Sequence, residues 1–132
     1  MKSEHLRDEY LDVSNNIRHF QTVRFAQLTI VMAITAGLLN VLYVKPDALS
    51  PFAEASIKVA GVLISILYWR LQERTMLYWY HFVNRAAELE EELGFGQYRH
   101  RPPAGILSGS NVMRMFFLVL VLFWTASLVW DM

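Results

Sequence analysis

The sequence has no cysteine, which removes disulfide staples, thiolate nucleophiles and cysteine metal sites at once. Charge is also scarce, at 18% of 132 residues, and twelve basic side chains balance twelve acidic ones. A neutral total offers no general attraction to nucleic acid or to an acidic substrate, so neither is expected as a partner and only the placement of charge informs. The histidines His5, His19, His81 and His100 are scattered, without the helical spacing and carboxylate neighbour that a metal centre needs. His81, Arg85 and Glu88 share a helix face, which is read as a solvated flank rather than an acid–base cluster. Neither a glycine-rich phosphate loop nor a nucleophile elbow is present. The residues therefore imply no cofactor, no metal and no enzyme. The polar start, Met1 to Glu9, lacks the basic-then-apolar order of a signal peptide, and no cleaved leader is expected.

What the chain has in excess is apolar surface: 55% of its residues are hydrophobic and 14% aromatic, too much for a water-soluble domain of this size to cover. A bilayer is the expected solvent and the first partner. A hydrocarbon layer about 30 Å thick takes about 20 mostly apolar residues per helix, and three segments meet that need. They are 25–44, 52–71 and 111–130. The first is interrupted by few polar residues, among them Gln27, Thr29, Thr35 and Asn40. The third is apolar through Met115 to Trp124 apart from the indole nitrogen. The second has a strictly apolar stretch only from Val59 to Trp69 and recruits Phe52 to Lys58. Glu54 and Lys58, one turn apart, are expected to pair while Lys58 snorkels outward. Between the first two spans, 45–51 reads as a tight outer turn, with Ser50 capping and Pro51 opening the next helix.

Orientation follows from the cationic flanks. Lys2, Arg7, Arg18, Arg24, Arg70, Arg74, Arg85, Arg99, Arg101 and Arg114 fall on one side, and only Lys45 and Lys58 on the other. This asymmetry predicts a cytoplasmic amino terminus and an outer carboxyl terminus, with a bacterial inner membrane as the default location. Only Asp131 and Met132 lie past the last span, so no outer domain is expected.

The remaining segments are patterned too. Leu6, Tyr10, Val13, Ile17 and Phe20 recur at spacings of four and three, forming an apolar seam along 1–24. In 72–93, Trp79, Phe82, Ala86, Leu89 and Leu93 recur likewise, until Gly94 stops the helix. No breaker separates either seam from its span, so two long helices are expected to leave the bilayer and continue as an antiparallel hairpin about 32–35 Å tall. The fold class is thus an all-α membrane protein with three transmembrane helices, the first two extended into the cytoplasm. In this register Lys2 and Arg7 come opposite Glu88, Glu90, Glu91 and Glu92, and Asp8, Glu9 and Asp12 come near Arg85, charges that set register more than stability. The seams are read as mutual burial within one chain, with subunit binding as the alternative.

The link 94–110 is expected to be a loop, since its prolines and glycines forbid a continuing helix. Arg99, His100 and Arg101 are candidates for contact with an anionic headgroup or phosphate-bearing ligand. Ser110 with Asn111 is expected to cap the last helix, and Arg114 to snorkel back to the interface.

The run from Arg85 to Arg99, RAAELEEELGFGQYR, follows a Trp- and Tyr-rich helix leaving a membrane hairpin. It resembles small bacterial multi-span proteins of the SLATT type over the middle half of the chain. That resemblance implies a pore-forming or membrane-disrupting effector of antiphage defence. The third span and the lack of a ligand-sensing domain depart from the simplest pattern of that family. Two functions follow as expectations. One is a homo-oligomer whose helices open a path, with Gln27, Asn40 and Lys58 as its polar residues. The other is a noncatalytic scaffold or accessory subunit of a larger membrane complex.

Overall fold

The computed structural model describes residues 2–44, 46–102, 105 and 108–130, without the side chains of Lys2 and Pro46. The expectations placed on Lys45, on the Lys2 side chain and on Asp131 and Met132 fall outside the described residues. Among the described residues the chain forms three α-helices, one short 3-10 turn and no strand. Helix α1 runs Lys2–Val44, the 3-10 turn Pro46–Ala48, α2 Pro51–Leu93 and α3 Gly109–Trp130. All three helices are long and apolar enough to cross a membrane. At 1.5 Å per residue, the 43 residues of α1 and of α2 extend about 64 Å each, roughly twice the hydrocarbon thickness.

Local chemistry sets the helix ends. Ser50 is extended and its Oγ accepts from the Ala53 backbone N–H at 3.2 Å, while Pro51 occupies the first turn, where its missing N–H has no use. At the other end Gly94 takes φ 77°, a left-handed conformation that a Cβ disfavours, and α2 stops. Helix α3 is capped two residues earlier than expected. Ser108, not Ser110, accepts the first turn: its Oγ takes the Asn111 N–H at 3.4 Å and its carbonyl the Val112 N–H at 3.1 Å. Ser110 lies inside the helix, where its hydroxyl meets Tyr80 at 3.1 Å.

Helix α2 is the central element, and both other helices pack on it. The backbones of α1 and α3 do not pack on each other among the described residues. Helices α1 and α2 run antiparallel, as successive contacts show: Glu9 meets Arg85, Phe20 stacks on Phe82 and Tyr78, and Gln27 bonds Thr75. In the polar half, Val13, Ile17, Val83, Ala86 and Leu89 form a buried core, with Leu6, Tyr10, Trp79, Phe82 and Tyr98 packed on it. Fully burying a Val, Leu or Ile contributes about 1.5–3 kcal/mol where water is the alternative. Val83 joins this core although the sequence seam passed over it, because it lies one turn from both Trp79 and Ala86 on the same broad stripe.

Against α3 the packing is of another kind. Gly61 sits under the indole of Trp124, which is fully buried, and Ser65 one turn on bonds back to the Gly61 carbonyl at 2.7 Å. Small residues allow helices to approach closely where lipid gives no hydrophobic drive. Lys58 lies on the same stripe and pairs with Glu54 one turn away, as its spacing predicts, but inside the helix packing. Its side chain is 5% exposed and its ammonium meets Glu54 at 2.6 Å.

Two substitutions on α2 test this packing in opposite directions. Gly61→Leu drives a side chain into the Trp124 ring and is expected to destabilise the α2–α3 contact by about 1–3 kcal/mol, read as a lower midpoint of thermal unfolding in detergent. Gln72 is 2% exposed and neither its amide nitrogen nor its oxygen has a partner among the described residues. Gln72→Leu is therefore expected to raise the same midpoint, by about 1–2 kcal/mol of stability.

Candidate functional site

The tip of the α1–α2 pair is organised by Glu90, which is completely buried. Sequence periodicity places this residue among the acids facing Lys2 and Arg7. The structure turns it inward, because position 90 falls one residue past Leu89 and four past Ala86, on the buried side of α2. Its carboxylate accepts from the Tyr10 hydroxyl at 2.9 Å, from the Tyr98 N–H at 2.9 and 3.0 Å, and from the Arg99 N–H at 2.9 Å. Its backbone carbonyl accepts the N–H groups of Gly94 at 2.8 Å and Phe95 at 3.1 Å. One residue therefore ends α2, reverses the chain and fastens both to α1.

Aromatic contacts complete the closure. Tyr10 packs against Phe95 and Tyr98 with ring centroids 5.6 and 6.3 Å apart, and the Tyr98 hydroxyl meets Ser14 Oγ at 3.1 Å. Burial by itself would push the Glu90 carboxyl up, but the hydrogen bonds from the Tyr98 and Arg99 backbone and from Tyr10 outweigh it and hold the group below its ordinary range. The Tyr10 phenol moves the other way, pushed up to about 12 by burial and by the carboxylate it donates to. The proton thus stays on Tyr10 and off Glu90.

The three basic candidates of the link are placed on this tip. Arg99 lies 3.7 Å from Glu91, the His100 ring meets the Gly96 carbonyl at 3.1 Å, and Arg101 donates to Asn84 at 3.3 Å. Arg85 bonds both Glu9, at 2.7 Å, and Glu88, at 3.0 Å.

Toward the apolar half stands a second polar cluster that the sequence did not single out. Arg114 grips Glu73 with two bonds of 2.6 and 2.9 Å, joining α3 to α2. The Glu73 carboxyl is held below its ordinary value, chiefly by that bond. Across α2, the Arg24 guanidinium stands 5.9 Å from the Trp79 ring centroid, a cation–π contact between α1 and α2. The only signal for the Glu73–Arg114 pair was an acid beside the second span and a base inside the third, which is meaningless until the helices are docked.

The three polar candidates in the spans are dispersed. Gln27 donates to Thr75 Oγ1 at 3.1 Å while that hydroxyl donates to the Leu71 carbonyl at 2.9 Å. Lys58 is enclosed near Glu54. Asn40 is exposed, beside Val41, Ala48 and Leu49, and makes no hydrogen bond among the described residues. No protein-family model matches the chain, and neither does any curated protein or solved structure.

Removing the Glu90 carboxylate strands three donors, so Glu90→Ala is expected to cost about 3 kcal/mol and to expose the 94–108 link to limited proteolysis. A carboxyl whose folded pKa is depressed contributes stability above its unfolded pKa and loses it as pH falls through the folded one. The hairpin tip of the unsubstituted chain should therefore hold at neutral pH and loosen on acidification below the ordinary carboxylate range. Glu90→Gln should flatten that acid dependence. An unchanged acid profile in this variant would remove Glu90 from its assigned role.

Proposed function

We propose that this chain is a noncatalytic subunit of a homo-oligomeric assembly in the bacterial inner membrane, with three spans, a cytoplasmic amino terminus and hairpin, and an outer carboxyl terminus. Ten cationic flanks against two support that orientation. The observation that carries the assembly is Asn40. An amide within an apolar span is costly in lipid unless a neighbouring helix or a water-filled path receives it. Among the described residues the Gln27 and Lys58 side chains are bonded and that of Asn40 is not.

The use of such an assembly is to open the membrane, as the resemblance to SLATT-type antiphage effectors implies. Helix α1 would then line the path with Asn40, and the stiff hairpin would receive the cytoplasmic cue. A scaffold or accessory role is the second reading. It is favoured by the inward placement of Gln27 and Lys58, which leaves two of the three polar span residues serving the chain's own packing.

Purified protein in liposomes is expected to pass ions or a small dye, with flux falling severalfold in Asn40→Leu. Native mass spectrometry from membranes should show a multiple of the 15.4 kDa chain. Tight liposomes together with a stoichiometric foreign partner would replace the first reading with the second.

A further inference from the structure

The outward face of α2 carries an unclaimed stripe where its apolar half meets its polar half. Leu67, Arg70, Leu71, Arg74 and His81 line an open concavity of about 900 Å³, with Tyr78 at its edge where it stacks on Phe20. This face is opposite the one that buries Ser65, Gln72 and Met76, since residues two apart on a helix point about 200° from each other. Its leucines are uncovered: Leu67 is 66% exposed and Leu77, at the cytoplasmic end, 70%. Leu63 continues the stripe one turn deeper into the apolar half.

The charge on this face is unbalanced. Glu73 is the one carboxylate at its rim, and both its oxygens are taken by Arg114. Arg74 makes no hydrogen bond or ion pair among the described residues, and the influence of Arg70 falls on a Glu73 already neutralised. Two guanidinium groups one turn apart therefore stand over a leucine track. Guanidinium forks match phosphate oxygens, and the leucines match a hydrocarbon chain.

The geometry points to a binding site for an anionic phospholipid of the cytoplasmic leaflet, its phosphate between Arg70 and Arg74 and an acyl chain along Leu71, Leu67 and Leu63. The site rests on the orientation given above. A second copy of the chain does not fit this face. Copies in one membrane share an orientation and meet at equal depth, and there they offer Arg24, Arg70, Arg74 and Arg114 against a single, occupied Glu73. Arg101, bonded to Asn84, stands ten residues beyond Arg74 along α2, about 15 Å further from the bilayer, outside the headgroup layer that Arg70 and Arg74 reach.

The test is native mass spectrometry of the full chain in mild detergent, titrated with phosphatidylglycerol or phosphatidylcholine. The expected result is a bound phosphatidylglycerol retained about 25-fold more than phosphatidylcholine, from two arginines together. Arg70→Gln with Arg74→Gln should lose that preference, at roughly fivefold per arginine. Arg70→Lys with Arg74→Lys should keep most of it, as should Arg99→Gln with Arg101→Gln at the tip. Equal retention of the two lipids by the unsubstituted chain overturns the site, and so does an unchanged preference in the double glutamine variant with its helicity intact. Crosslinking between copies of the Leu77→Cys variant also overturns it, because the face would then be a subunit interface. A reporter after Met132 that reads as cytosolic marks failure of the orientation instead, a separate outcome that removes the premise and the site together.

Discussion

The antiparallel seam between α1 and α2 carries the rest of this molecule, because a helix 64 Å long is not held straight by its backbone bonds alone. Half of each long helix is predominantly apolar and long enough to cross a membrane; the other half is amphipathic and stands only if its stripe is covered. Each helix covers the other. Val13 and Ile17 close against Val83, Ala86 and Leu89, and Phe20 stacks between Tyr78 and Phe82, so that one continuous contact runs from the tip to the apolar half.

Two polar fastenings hold this contact at its ends, and they work by different physics. At the tip, Glu90 is removed from water and kept ionised by fixed donors, a high-stakes arrangement that tolerates no missing partner. At the apolar boundary, Glu73 and Arg114 form a bidentate pair that fixes the depth of α3 against α2. The first closes the chain reversal and the second docks the return span. Between them, Gly61 and Trp124 set how closely α3 approaches. The same α2 thus has one face for α1, one for α3 and a third left to the surroundings, and it is on this third face that Arg70 and Arg74 gather.

Much of this plan was legible in the residues. The Ser50–Pro51 start and the Gly94 stop of α2 depend on chemistry within a few residues, and they stand where the sequence puts them. The repeat of Leu6, Tyr10, Val13, Ile17 and Phe20 needs only the 3.6-residue period to be read. The start of α3 was less legible, because Ser108 and Ser110 are equally good caps by type and only the path of the chain chooses Ser108.

Three apolar lengths, the unbroken run of the two long helices and the spacing of the cationic residues can all be read along the chain. All of these are sums over neighbours in the chain. It takes the docked helices to show that Glu90 is buried while Glu88, Glu91 and Glu92 are not, that Lys58 is enclosed, and that Glu73 meets Arg114 across 41 positions. Four glutamates within five residues carry the same local signal. What separates them is which one rotates toward Tyr10 and the returning backbone at Tyr98, and that rotation is fixed by the packing of two helices rather than by any property of one.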